Sequence, residues 1–231
     1  MIREYIVRPS TFRFEDSHPW VVVNNLCDTI MRELRHLGED YTISNGVAVH
    51  KTAVIAHNVT IKAPAIISAN CFVGANSYLR NGVYLAPGAK VGISCEIKTS
   101  VLLEGCAVAH FNFVGDSIIG HDVNIEAGAI VANHYNERKD DTVYVNIDGK
   151  RVSTGLHKFG SLVGDDCRIG PMLCFRQALC SSPKPSSSVW NWLNKTRNHA
   201  TCSLKMFAKQ RLTESIPTLA AKVNDKCFFR E

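Results

Sequence analysis

Among the side chains able to do chemistry, His110 stands out by position. An imidazole with an ordinary pKa of about 6.5 takes up and returns a proton at neutral pH, and this one lies where a strict sequence repeat breaks. Breaks in a repeat are places where the packing rule is relaxed and function tends to sit. The nine cysteines contain no C-x-x-C pair for zinc, and Cys71 and Cys95 fall at small apolar positions of the repeat, where a thiol serves as a compact filler. The cysteines therefore point to a reducing compartment, and no metal is expected.

The repeat is what must position these residues. From Val49 an aliphatic side chain returns at every sixth residue: Ile55, Ile61, Ile67, Val73, Leu79, Leu85, Val91 and Ile97. Four residues after each comes a small or slender one, from Ala53 and Val59 to Cys95 and Val101. Neither a helix nor a plain strand repeats at six. Each hexad is one flat edge of a coil, and coils stack so that like residues fill a narrow prism. Three edges per turn make an all-β solenoid, a left-handed parallel β-helix. Gly74, Gly82, Gly88 and Gly92 fall at its corners, where the chain needs positive φ or close approach. Beyond Thr99 the register slips and returns at Ile119, Ile125 and Val131, so residues 101–117, with His110 among them, read as an irregular coil.

Residues 1–46 read as an N-terminal arm followed by a capping helix. Ile2, Tyr5, Val7, Phe12 and Phe14 belong to an extended segment. Leu26, Ile30, Leu34 and Leu37 then share one helical face, and Gly38 stops the helix. The helix is expected to cover the first coil. The β-helix spans 47–170, interrupted by a polar insert, His134 to His157, with a two-residue hairpin turn at Asp148-Gly149. Val163 to Ile169 is again six. From Pro171 to the end, the hexads stop and a Ser/Pro-rich, irregular tail follows. Read one base earlier in a back-translation, with suitable codons, Pro171 to Leu179 gives a hexad in phase with Ile169, so 171–231 reads either as the product of a frameshift, the favoured reading, or as a genuine but unusual tail.

The run from Leu79 to Asp166 resembles the C-terminal acetyltransferase domain of the bifunctional UDP-N-acetylglucosamine pyrophosphorylase/glucosamine-1-phosphate N-acetyltransferases, a hexapeptide-repeat acyltransferase. The resemblance rests on Leu79-Arg80-Asn81-Gly82, Glu96-Ile97-Lys98, the segment Ala109-His110-Phe111-Asn112-Phe113-Val114-Gly115-Asp116, Gly120 to Gly128, Ala132-Asn133-His134 and Lys158-Phe159. The spacing Arg80, Lys98, His110 needs no gaps. The resemblance implies that His110 is the general base of acetyl transfer to an amino sugar phosphate or nucleotide sugar, a precursor of cell wall or lipopolysaccharide. Arg80, Lys98 and Lys158 would bind its phosphate, and Phe113 and Asn124 its sugar. Ala127, Asn133 and His134 would bind acetyl-CoA, and a homotrimer would share the site between prisms. Phe113 replaces a family tyrosine and His134 another, and the serine of the following coil would align with Pro171. No Gly-rich nucleotide segment with an Arg-Met ending lies near the N-terminus, so uridylyl transfer is not expected.

Charge and composition narrow the partners. The formal net charge of +5 is carried by residues 171–231, with ten Lys/Arg against three Asp/Glu, while 1–170 hold sixteen against eighteen. With no aromatic-interleaved basic motif, a nucleic-acid partner is not expected. No apolar h-region and no 18-residue apolar run occur, so a soluble cytoplasmic protein without a membrane partner is expected. Two rivals share the fold. A γ-type carbonic anhydrase needs three histidines on zinc, and His110, His121 and His134 lack its H-x-x-x-x-H spacing. The other is a non-catalytic scaffold or an inactivated enzyme; a scaffold has no reason to bind acetyl-CoA.

Overall fold

The computed structural model describes residues 1–136, 138–147, 150–175 and 179–181. Each coil lays three short parallel strands around a triangle, as the hexads require. The first face is a six-stranded sheet of Val54–Ile55, Phe72–Val73, Lys90–Val91, Ala107–Val108, Asn124–Ile125 and Arg168–Ile169. The second carries Thr60–Ile61, Phe113–Gly115, Ile130–Val131 and Cys174–Phe175. The third carries Val47–His50, Ala65–Ile67, Ile118–Ile119, Ser161–Val163 and Leu179–Ser181. Two longer strands, Tyr78–Leu85 and Glu96–Leu102, turn a corner and serve both the second and third faces. The chain is thus a left-handed parallel β-helix.

The aliphatic column of the sequence fills the prism. Ile67, Leu85, Val91, Ile97, Val114, Ile119, Ile125, Val131 and Val163 all belong to one fully buried cluster. Burial of each such side chain is worth roughly 1.5–3 kcal/mol, and stacking of like on like lets β-branched residues repeat without voids.

The stretch expected to be irregular is regular. At the corner after Lys98 a single residue, Thr99 with φ +45°, does what Asn81 and Gly82 do one coil earlier. Shortening by one residue steps the inward series from Ile97 to Leu102, after which Val108 and Val114 follow in phase. Val101 therefore faces outward instead of joining the slender inward column, and Ser100 takes the place paired with Val83.

The N-terminal segment differs from expectation for a related reason. The outer surface of the third face is apolar along its length: Ala48, Ile66, Tyr84, Val101, Ile118 and Leu162 stack coil upon coil. Helices α1 (Ile2–Tyr5), α2 (Pro19–Asn24) and α3 (Leu26–Glu33, followed by a 3-10 turn Leu34–His36) belong to the elements that bury it. Ile2–Tyr5 is thus a helical turn and not extended, because Ile2 and Ile6 dock on this surface. Helix α3 is not an end cap: it packs on Tyr78–Leu85 and Glu96–Leu102, with Leu26 and Ile30 completely buried. The edge of the first coil is instead paired by an antiparallel strand, Tyr41–Ser44 on Val47–His50.

Between α1 and α2 the chain straps the prism. Arg8 Nη1 lies 2.6 Å from Asp122 Oδ2 and its Nη2 2.5 Å from Asp166 Oδ1, and the Thr11 N–H donates to Glu104 Oε1 at 2.6 Å. The insert folds as the expected antiparallel pair, Tyr144–Ile147 with Lys150–Ser153, and its turn lies outside the described residues. Val143, Val145 and Phe159 carry it onto the same apolar surface, Phe159 edge-on to Trp20.

The boundary expected at Gly170 moves outward, since Cys174–Phe175 and Leu179–Ser181 continue the parallel stacking on the second and third faces. Their backbones take coil positions although the hexad pattern is lost. Apart from residues 171–175 and 179–181, the expected frameshift tail falls on residues outside those described. Among the described residues no helix is long and apolar enough to cross a membrane.

Candidate active site

The three edges of the prism carry different chemistry. Along the edge between the first and second faces, each coil places one residue above the last. The Phe111 N–H donates to Ile93 O at 3.1 Å and the Gly128 N–H to His110 O at 2.9 Å. This stacks Ile93, His110 and Ala127. The next position in every coil is left-handed, as at Asn76, Ser94, Phe111 and Gly128. Phe111, with φ +56°, is a bulky residue in a conformation that costs about 1–2 kcal/mol. It is 63% exposed, and the bond from its N–H to Ile93 O holds the corner.

His110 itself is exposed, and among the described residues its side chain has no hydrogen bond or ion pair. Two features seat it. A Cβ on Gly92 would stand 2.5 Å from Ala109 O and 3.1 Å from His110 Nδ1, so only glycine lets the coils close here. Asn112, buried, accepts the Ala129 N–H on Oδ1 at 2.6 Å and fixes the chain after the histidine.

The edge between the second and third faces gathers the cations. Arg80, Lys98 and Gly115 occupy one register position in successive coils. Lys98 Nζ lies 2.7 Å from both carboxylate oxygens of Asp116, and Asn133 Nδ2 donates to Asp116 Oδ2. Lys98 and Asp116 are both buried. Arg80 forks Glu96 Oε1, with Nε at 2.7 Å and Nη2 at 2.6 Å. The Phe159 N–H donates to Asn133 O at 3.1 Å, which brings the exposed Lys158 beside this cluster by chain connectivity. A Cβ at Gly115 would strike Asn133 Nδ2 and the Phe113 ring. Cys27 of α3 abuts Gly82, so the helical flank borders the edge; burial pushes its thiol up.

The remaining expected residues are spread between. Phe113 is half-buried on the outer surface of the second face, between Glu96 and Ile130. Asn124 lies on the first face, its Nδ2 3.2 Å from Glu126 Oε1. His134 opens the insert, Nε2 3.9 Å from Asp141 Oδ2. Within one chain, then, Lys98 and Asn133 meet through Asp116, and His110 and Ala127 share an edge. His110 and the cationic cluster stand on opposite edges of the second face.

Sequence reasoning gave no role to Asp116 and Glu96, the acidic partners, although both stand in the motifs it singled out. Asp116 follows Lys98 by 18 residues, about one coil, which is the signal that would have found it. His121 lies on the third edge, buried, with Nδ1 3.2 Å from Glu104 Oε2. His110, His121 and His134 therefore do not converge in one chain, and among the described residues no three-member His/Cys/Asp/Glu group is placed to hold a metal.

Known proteins share this pattern. A family model described as the GMPPB C-terminal domain matches residues 61–190. A bifunctional sugar-1-phosphate nucleotidylyltransferase/acetyltransferase of Sulfurisphaera tokodaii is 35% identical over 155 residues, 67% of this chain and 37% of that protein. The bifunctional protein GlmU of Methanococcus vannielii is 33% identical over 156 residues, 66% of this chain and 37% of the relative. That of Heliobacterium modesticaldum is 41% identical over 92 residues, 38% and 20% of the two chains. The chain spans little more than a third of the first two relatives.

Proposed function

The chain belongs to the family of the GMPPB C-terminal domain, and from that premise we propose that it is an acetyl-CoA-dependent acetyltransferase acting on an amino sugar phosphate or nucleotide sugar. His110 is the general base. It takes a proton from the sugar ammonium; the freed amine attacks the thioester carbonyl; the C–N bond forms, the C–S bond breaks, and a second proton passes from nitrogen to the departing sulfur, so that the coenzyme leaves as its thiol. The observation that carries the reading is the exposed, uncommitted imidazole of His110 on an edge whose neighbouring residue, Ala127, leaves room for a donor. The printed names of the relatives, which include acetyltransferase, support it.

In this reading Arg80, Lys98 and Lys158 set the phosphate field, Phe113 and Asn124 bound the sugar, and Ala127, Asn133 and His134 line the donor groove. Because the base and the cations stand on opposite edges of one face, a complete site takes one edge from each of two copies, as a cytoplasmic homotrimer of prisms supplies. The test is to incubate the purified chain with acetyl-CoA and glucosamine phosphates or UDP-amino sugars, following thiol release and the acetylated sugar by mass. Donor binding without transfer to any amino sugar would overturn the acceptor assignment.

One observation favours a second reading, a sugar-binding scaffold of the same fold. Arg80 and Lys98 already spend their charge on Glu96 and Asp116, which leaves less for a phosphate. An acetyl-CoA titration separates the two, because a scaffold has no reason to bind the donor.

A further inference from the structure

The insert does more than cover the third face. It shapes an open cavity of about 490 Å³ whose wall includes Tyr135, Arg138, Asp140, Tyr144, Asn146 and Arg151. Two of its guanidiniums are held in the same way: Arg138 lies 3.9 Å over the Tyr135 ring and Arg151 3.9 Å over the Tyr144 ring. Such stacking fixes the plane of a guanidinium while leaving its N–H edge free.

Arg8, Arg32 and Arg80 are in ion pairs, and Arg168 is bonded to backbone carbonyls. Among the described residues Arg138 and Arg151, like Arg3, Arg13 and Arg35, have neither kind of partner; what sets the two apart is that each lies over a ring in one cavity wall. The carboxylate in the wall, Asp140, accepts the Thr142 N–H at 3.0 Å and the Tyr144 hydroxyl at 3.3 Å. These bonds, Thr142 first, hold its carboxyl below the usual range, so it stays ionised. It also props the ring on which Arg151 lies. Two positive charges against one negative remain in the named wall, with the Asn146 amide beside them.

We propose that this cavity binds a phosphoryl-bearing ligand of nucleotide size, with Arg138 and Arg151 forking its phosphate oxygens. The chemistry selects phosphate. Guanidinium edges match its oxygens in bidentate pairs, and the volume lies in the range of about 300–1,000 Å³ common to small-ligand sites. The site belongs to the insert and stands independently of the acyl-transfer reading.

Calorimetry on the full chain with uridine diphosphate and with inorganic pyrophosphate tests it. The expected result is saturable binding that weakens with added salt and falls at least tenfold in Arg138→Gln and in Arg151→Gln, with Arg32→Gln, a surface arginine paired to Glu15 and outside both sites, unchanged. If either glutamine variant melts early, Arg138→Lys and Arg151→Lys keep the charge and lose the fork, and a severalfold loss is then expected. Absence of saturable binding by either probe overturns the proposal, as does wild-type binding in the insert variants. Binding lost in Arg80→Gln but kept in the insert variants places the ligand on the second edge; that overturns the cavity site and leaves acyl transfer standing.

Discussion

Lys98 and Asp116 form a buried ion pair across successive coils, Nζ 2.7 Å from each carboxylate oxygen, and the Asn133 amide closes on the same carboxylate. The side chains are only 10% and 8% exposed, so neither charge has much water to fall back on. Removing one partner strands the other, which typically costs about 3–5 kcal/mol. Asp116→Ala should lose stability on that scale in urea denaturation, whereas the apolar pair Lys98→Met with Asp116→Leu should lose much less. Equal losses would mean that the coil stacking, and not the ion pair, sets the cost.

His110→Ala tests the base separately from the fold. The side chain is exposed and has no partner among the described residues, so its removal should leave the melting temperature within a degree or two. Acetyl transfer should fall by a factor of about 100 to 10,000, the usual contribution of a general base. A variant with wild-type turnover would remove the histidine from the mechanism.

Two glycines one coil apart offer a paired experiment. A Cβ at Gly74 would stand 2.6 Å from Gly92 C, and one at Gly92 would stand 2.5 Å from Ala109 O and 3.1 Å from His110 Nδ1. Both alanine variants should lose roughly 1–3 kcal/mol through overpacking. Only Gly92→Ala pushes on the histidine, so it alone should also lower turnover when assayed well below its melting temperature.

These relationships show why parts of the molecule were legible and others were not. A prism admits few side-chain sizes, so the column Ile55, Ile61, Ile67 announces itself at period six. The outer column Ile66, Tyr84, Val101, Ile118 recurs only once per coil and is hidden inside that shorter period. Without it, α3 looks like an end cap instead of a side cover. The shortened corner at Thr99 disguised a regular coil as a break. Placing Asp116 beside Lys98, one residue past its register partner Gly115, requires knowing the number of residues in that coil, which the corner decides. His110 was noticed for its supposed irregular setting, yet it sits on a regular edge.

The strap on the third edge predicts an acid response. Burial raises the Glu104 carboxyl, but the Thr11 N–H and hydroxyl and the Ser10 hydroxyl outweigh it and hold the pKa below its ordinary 4.5. A depressed carboxylate contributes stability that is present above the unfolded value and lost as pH falls through the lower folded one. Stability should therefore decline below about pH 4.5 as Glu104 is protonated and its bonds to Ser10 and Thr11 weaken. In Glu104→Gln this part of the decline should be missing, so the two curves of unfolding free energy against pH should converge in acid. Parallel curves down to pH 3 would assign the acid loss to other groups.

The covered face gives the last test. Ile66 is 1% exposed, yet it points away from the prism core and is buried by the segments that overlie the third face. Its neighbours above and below in the stack are Ala48 and Tyr84. If the overlying segments are integral to the fold, Ile66→Ala should cost about 2–5 kcal/mol, as any core deletion does. If they are loosely held, the site collapses cheaply and the loss is near the transfer term alone. Hydrogen exchange tells the two apart: in the first case α3 and the strand Tyr78–Leu85 exchange with one opening free energy in both proteins. Early exchange of α3 alone in the wild type would show that the helical flank detaches without unfolding the coils, and the face beneath it would then count as a surface.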